Sequence, residues 1–208
     1  MKSVLISIRP EWVEKIVNGE KIIEVRRSAP KELPFKAYIY CTKDRKNLLP
    51  IEHGKVLQKV NFWENTDAYY GFGKVIGEFI CDKVDEYTFS HYEAEYRVTH
   101  VEQKAMCLNQ PELIRYGKGK TLYGWHISDL KIYDKPKELR EFYYCCKEMK
   151  ANEPRAGKYV SLSCYACRHN ALKRTEDYSE YNNMLGYICK RNITRPPQSY
   201  MYVENVEE

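Results

Sequence analysis

The sequence has no run approaching the roughly 18 uninterrupted apolar residues that a membrane-spanning helix requires. Its opening, Met1 to Arg9, alternates and meets a charge too soon to form the apolar core of a signal peptide, so a soluble, cytoplasmic chain is expected. It has no internal repeat and no low-complexity tract. Nor does it have a block of one charge sign: 34 basic and 29 acidic residues are interspersed, the net charge is +5, and any basic surface must be a local patch. Wholesale disorder is excluded as well, because 43% of the 208 residues are hydrophobic and a sizeable core is within reach. That length suits one large domain, or a main domain with a small companion.

What the chain has in quantity is tyrosine, 19 in all. A phenol offers a ring to stack on and a hydroxyl to hydrogen-bond. Rings interleaved with Lys and Arg suit single-stranded nucleic acid or nucleotides; a Tyr-rich β core with solvated charges is the plain alternative. The 8 cysteines are unevenly placed. Cys41, Cys81 and Cys107 are scattered, whereas Cys145, Cys146, Cys164, Cys167 and Cys189 crowd the last third. Cytoplasmic chains seldom use disulfides. Cys164-Tyr165-Ala166-Cys167 has the spacing of a zinc knuckle, Cys189 supplies a third thiolate, and Cys145 or Cys146 a fourth, with His169 as a spare. A closed, structural zinc site is the expectation, against free thiols in a small subdomain. No thioredoxin-like pattern surrounds the pair, which argues against a redox role. Large aliphatics are sparse beyond residue 150, so that part needs either the metal or packing against the main domain.

Local pattern gives the order of elements. Val4 to Ile8 reads as a strand, and Pro10 suits the first turn of a helix whose apolar face is Trp12, Val13, Ile16 and Val17, closed by Asn18-Gly19. Lys21 to Arg27 reads as a strand with Lys21, Ile23 and Val25 on one face and Ile22, Glu24 and Arg26 on the other. Ala37 to Cys41 is a third strand. Residues 42–72, with Lys43, Arg45, Lys46, Lys55 and Lys59 followed by Trp63, Tyr69, Tyr70 and Phe72, read as an insertion containing a short helix at most. Lys74 to Cys81 is again a strand, with a bulge at Gly77. Helical turns near 102–109 and after Pro111 follow, then the basic turn Gly117-Lys118-Gly119-Lys120 and strands over 122–128 and 130–133. Asp134-Lys135-Pro136-Lys137 marks a boundary, beyond which a helix near 136–150 is expected.

The segment Gly19-Glu20-Lys21-Ile22-Ile23-Glu24-Val25-Arg26 carries Gly-x-Lys-x-x-Glu-x-Arg, and here the chain resembles the ASCH domain family, a branch of the PUA-like barrels. The opening Ser7-Ile8-Arg9-Pro10-Glu11-Trp12, the strand Gly73 to Phe79 and the late Tyr123-Gly124-Trp125-His126-Ile127 fit the same pattern, so the resemblance covers roughly residues 2–134. It implies an α+β fold: a PUA-like mixed β-barrel with short flanking helices over 1–134, and a Cys-rich extension over 135–208. It also implies a cleft for RNA or a nucleoside at Lys21, Glu24 and Arg26. From the residues themselves, Gly19 supplies a positive-φ turn, Glu24 and Arg26 pair on one strand face, and Lys21 either meets a phosphate or, once desolvated, acts as a base or nucleophile. A structural ion pair ordering the rim is the alternative. Arg9, Tyr123 and Lys118 complete the expected nucleic-acid-binding set, with Lys120 beside Lys118. Trp12 borders the cleft and either stacks a base or belongs to the core; Trp125 reads as core, and His126 points away from it.

Some ASCH proteins are enzymes. One bacterial branch is an amidohydrolase acting on an acetylated cytidine, using the motif Lys and a Thr; the matching position here is Glu24, a departure that weakens the transfer. Another branch cleaves RNA. Lys21 and Glu24 are the catalytic candidates if either holds. The tail Arg195-Pro196-Pro197-Gln198-Ser199 looks like the ending of proteins from phages and prophages of Gram-positive bacteria, although Tyr200 and Met201 stand where a Trp-Cys pair commonly follows. Its prolines stiffen an extended arm, and Tyr200 and Tyr202 offer anchors on the barrel. The expected function is binding of RNA or a modified nucleoside. The alternatives are an enzyme of the same cleft, or an interaction module acting on a host protein.

Overall fold

The computed structural model describes residues 1–43, 50–52, 55–56, 69–143 and 192–203. β1 (Lys2–Ile8) leads into α1 (Pro10–Val17), β2 (Ile23–Arg26) and β3 (Phe35–Cys41). Three short strands, β4 (Pro50–Glu52), β5 (Lys55–Val56) and β6 (Tyr69–Tyr70), precede β7 (Val75–Cys81), β8 (Val84–Tyr87), β9 (Phe89–Ser90) and β10 (Glu95–Tyr96). Then come α2 (His100–Met106), α3 (Gln110–Gly117), β11 (Leu122–His126), β12 (Ser128–Lys137), a 3-10 turn at Leu139–Glu141, and β13 (Tyr200–Val203). The class is mixed α+β. The described strands form four separate hydrogen-bonded sheets, and barrel closure is not detected among them.

Two sheets organise the molecule. The larger has the order β12-β7-β3-β1-β13, with β1 parallel to β3 and antiparallel to β13; the smaller has the order β2-β11-β8. Side-chain alternation sorts each strand of the larger sheet between two cores. Val4, Ile6 and Ile8 of β1, with Phe35, Ala37, Ile39 and Cys41 of β3, face α1 and Trp125. Leu5, Tyr38, Tyr40 and Val203 face the other way, under Phe142, Leu139 and Ile193. Along β7, Ile76 and Phe79 share the inner core although three positions separate them. The expected bulge explains this: Ile39 pairs with Gly77 but Tyr40 with Val75, so Ile76 is the extra residue. A third core lies on the outer face of the smaller sheet, where Ile23, Val25, Tyr87 and Leu122 pack with Met106 and Leu113 of α2 and α3.

Local chemistry sets the helix ends. Pro10 occupies the first turn of α1, and Gly19 at φ +74° turns the chain so that the Glu20 and Lys21 amides return to the Lys15 carbonyl. Thr99 with Glu102, and Asn109 with Glu112, form capping boxes on α2 and α3; each such cap contributes about 1 kcal/mol.

Two expectations change at this level. The described part of the segment read as an insertion forms the small sheet β5-β4-β6, whose Ile51 joins the inner core. The helix expected near 136–150 is absent among the described residues of that range, where β12 continues to Lys137 and the 3-10 turn follows. Pro136 is accommodated because β12 is an edge strand among the described strands, with one side that makes no ladder to another of them. β12 thus runs through residues 134 and 135, while β13, from the far end of the chain, pairs with β1. Residues 144–191 lie outside the described set, and with them Cys145, Cys146, Cys164, Cys167, Cys189 and His169.

Candidate functional site

The inner face of the smaller sheet carries the charges of the Gly-x-Lys-x-x-Glu-x-Arg motif. β2 pairs with β11 so that Arg26 opposes Tyr123 and Glu24 opposes Trp125, which places all four side chains on one face. Trp125 is fully buried, edge-on to Phe35 at 5.0 Å and to Tyr200 at 5.4 Å. Tyr123 is partly buried against the same core.

Lys21 joins this face, against the alternation expected for it. β2 begins at Ile23, and Lys21 lies in the turn tied to Lys15, so the period-two rule does not reach back to it. Its ammonium lies 3.5 Å from Glu24 Oε2 and donates to the Met106 carbonyl at 2.6 Å. Arg26 Nε stands 3.0 Å from Glu24 Oε1, attracted as a charge although its N–H misses the oxygen and finds no other acceptor. The same guanidinium donates to the Ser7 carbonyl at 2.7 Å and, at a long 3.5 Å, to the Ser199 carbonyl. Lys21, Glu24 and Arg26 are only 2%, 7% and 6% exposed. Two cations thus share one carboxylate, leaving a net positive charge in a nearly sealed space. Burial, the largest influence, holds the Lys21 ammonium below its ordinary pKa, with Glu24 pulling the other way.

A segment from the far end of the chain covers this group. Ser7 Oγ donates to the Pro197 carbonyl at 2.7 Å, Ser199 meets Arg26, and Tyr200 abuts Trp125 before β13 pairs with β1. The tail therefore docks through its aromatics. The expected cleft is closed by it.

The other residues singled out from sequence lie farther out. Arg9 is exposed and pairs with Glu11 at 3.8 Å. Trp12 is half-buried, with the Lys15 and Lys21 ammonium groups each 5.3 Å from its ring centroid. Lys118, exposed, caps α3 in a left-handed conformation, and Lys120 is exposed beside it. His126 points to the opposite sheet face, as expected, and its Nε2 lies 2.6 Å from Asp85 Oδ2, with Lys83 3.0 Å from the same carboxylate. Burial would raise Asp85, but its bonds to His126 and Lys83 outweigh this and hold the carboxyl below its usual range. Cys81 is buried, which pushes its thiol up to about 12. Sequence reasoning missed the carbonyls of Ser7, Met106 and Ser199 as partners of the cations. A backbone acceptor leaves no mark in residue type, so only the Ser7-Ile8-Arg9 segment gave any hint.

No family model and no curated protein matches this chain. Among solved structures, the ASCH protein of Zymomonas mobilis is similar, with 20% identity over 76% of this chain and 85% of that one, and a TM-score of 0.41. A point mutant of that protein covers 98% of this chain and 89% of its own length at 16% identity, with a TM-score of 0.46.

Proposed function

We propose that this chain binds RNA or a modified nucleoside through Lys21, Glu24 and Arg26. The observation that carries the reading is the net positive charge held almost out of water, where its interactions are weakly screened. The motif Gly19, Lys21, Glu24 and Arg26, which resembles the ASCH signature, and the neighbouring Trp12 ring support it. The Ser199 carbonyl is a weak occupant at 3.5 Å from Arg26. A phosphate or base carbonyl that displaces it makes a shorter, charge-assisted bond. The test is the affinity of Lys21→Ala and Arg26→Ala for RNA and for nucleosides, an acetylated cytidine included, with melting followed alongside. Losing one such contact raises Kd about ten- to a hundred-fold. Wild-type affinity in both folded variants would overturn the assignment. Salt separates the two ligands: a strand gives a log–log slope of about −0.7 per contacted phosphate, a nucleoside almost none.

Burial favours a second reading, an enzyme of the same site. An ammonium with a lowered pKa gives up its proton more readily and then serves as a base or nucleophile beside Glu24. Product formed from RNA or the acetylated nucleoside, and lost in Lys21→Ala, supports turnover; ligand returned unchanged by wild type rejects it. The structural zinc proposed for the cysteines beyond residue 144 rests on their spacing. Elemental analysis tests it, with about one zinc per chain expected from a closed four-ligand site and none overturning it.

A further inference from the structure

Beyond the sealed cluster, the end of β3, the Gly73 turn, the 3-10 turn and the segment after Asn192 enclose an open groove of about 730 Å³. That volume falls within the ~300–1,000 Å³ range of ligand sites. Tyr40, Thr42 and Lys43 line it together with Glu138, Arg140 and Thr194. Lys43 and Arg140 are exposed, and neither has an ion pair among the described residues. The single carboxylate among the described lining residues, Glu138, is met by Lys74 at 3.3 Å. Among the described lining residues the charge left over is therefore positive.

Lys43 is positioned rather than merely present. Its aliphatic stem crosses the bare Cα of Gly73, where an added Cβ would come within 2.8 Å of it. Tyr40 contributes a phenol that burial, first among the causes, keeps protonated and able to donate. Two cations and hydroxyl-bearing side chains lining one groove match an anion with several oxygens better than an apolar ligand.

We infer that this groove is a second binding site, one that takes a phosphate group, carried by a nucleotide or by the backbone of a strand, between Lys43 and Arg140. It stands independently of Lys21 and Arg26, because none of its lining residues belongs to that cluster. The experiment is amide NMR on the full chain, titrated separately with inorganic phosphate, adenosine monophosphate and a short single-stranded RNA. Expected are shifts at Thr42, Gly73 and Thr194 with phosphate, weakened about tenfold or more in Lys43→Ala and again in Arg140→Ala. Both side chains are exposed, so the variants keep their fold. RNA that binds more tightly than the mononucleotide, with a steeper salt dependence, assigns the groove to a strand backbone. Equal affinity assigns it to a nucleotide. The inference is overturned if no probe shifts these amides, if the double variant binds phosphate like wild type, or if Lys21→Ala abolishes phosphate binding outright, which would place the anion in the sealed cluster.

Discussion

The smaller sheet carries a charge cluster on each face, and the two obey different rules. On the inner face, Lys21, Glu24 and Arg26 are 2–7% exposed. On the outer face, Asp85, His126 and Lys83 meet at 2.6 and 3.0 Å, yet their side chains are 26%, 29% and 61% exposed. The separations are similar; the solvent is not. Water screens the outer group to a fraction of a kilocalorie, whereas inner charges that lose a partner are left with backbone carbonyls and no water to take its place. Distance alone therefore says little about what an ion pair contributes.

The strongest way to break this comparison is Glu24→Gln. It removes the carboxylate that two buried cations share, and a loss of about 3–5 kcal/mol in urea unfolding is expected. A loss under ~1 kcal/mol would put the inner cluster in the same class as the outer one. Lys21→Met sharpens it from the other side. Because the folded-state pKa of Lys21 lies below that of the unfolded chain, the unfolded state binds more protons between the two, so its contribution becomes more favourable as pH rises toward about 10.4. The raised phenols of Tyr87 and Tyr116 act oppositely, losing stability as pH passes about 10, and both variants share them. The difference between wild type and Lys21→Met isolates the lysine: wild type gains relative to the variant as alkalinity grows, and a flat difference refutes the burial argument. The smallest effect belongs to Asp85→Asn, at most ~1 kcal/mol near neutral pH. Asp85 has a depressed pKa when folded, so its contribution is present above about pH 4 and lost as pH falls through the folded value; the gap from wild type closes in acid.

Most of the first 41 residues was legible in the sequence. Alternation in Val4 to Ile8, Pro10 at a helix start and Gly19 after its end are local signals, and the structure uses them locally. The pairing of Glu24 with Arg26 was legible for the same reason, being two residues apart on one strand. Lys21 departs from the face that alternation predicts because it precedes the strand's first residue, Ile23, and the period of two does not reach it. α2 starts at His100, ahead of the turns expected near 102–109, because Thr99 and Glu102 form a capping box there. Pro136 looked like a breaker, and only sheet order reveals that its strand is an edge. What seals the inner cluster was out of reach: Met106 lies 85 residues from Lys21, and Ser199 lies 173 from Arg26.

That last separation has a consequence for how the molecule is made. β1 lies between β3, which follows within a few dozen residues, and β13, which is among the last described residues translated. Ser7 and its acceptor Pro197 are 190 residues apart. At about 5–20 residues per second, a ribosome takes roughly 10–40 s to deliver the acceptor after the donor. During that interval one flank of β1 lacks its final partner and the guanidinium of Arg26 lacks its cover, so a nascent chain offers an open strand edge and a wet cation that the finished protein conceals. Stalled or shortened chains ending before residue 197 would keep that edge for good, and would be the ones expected to stick to one another.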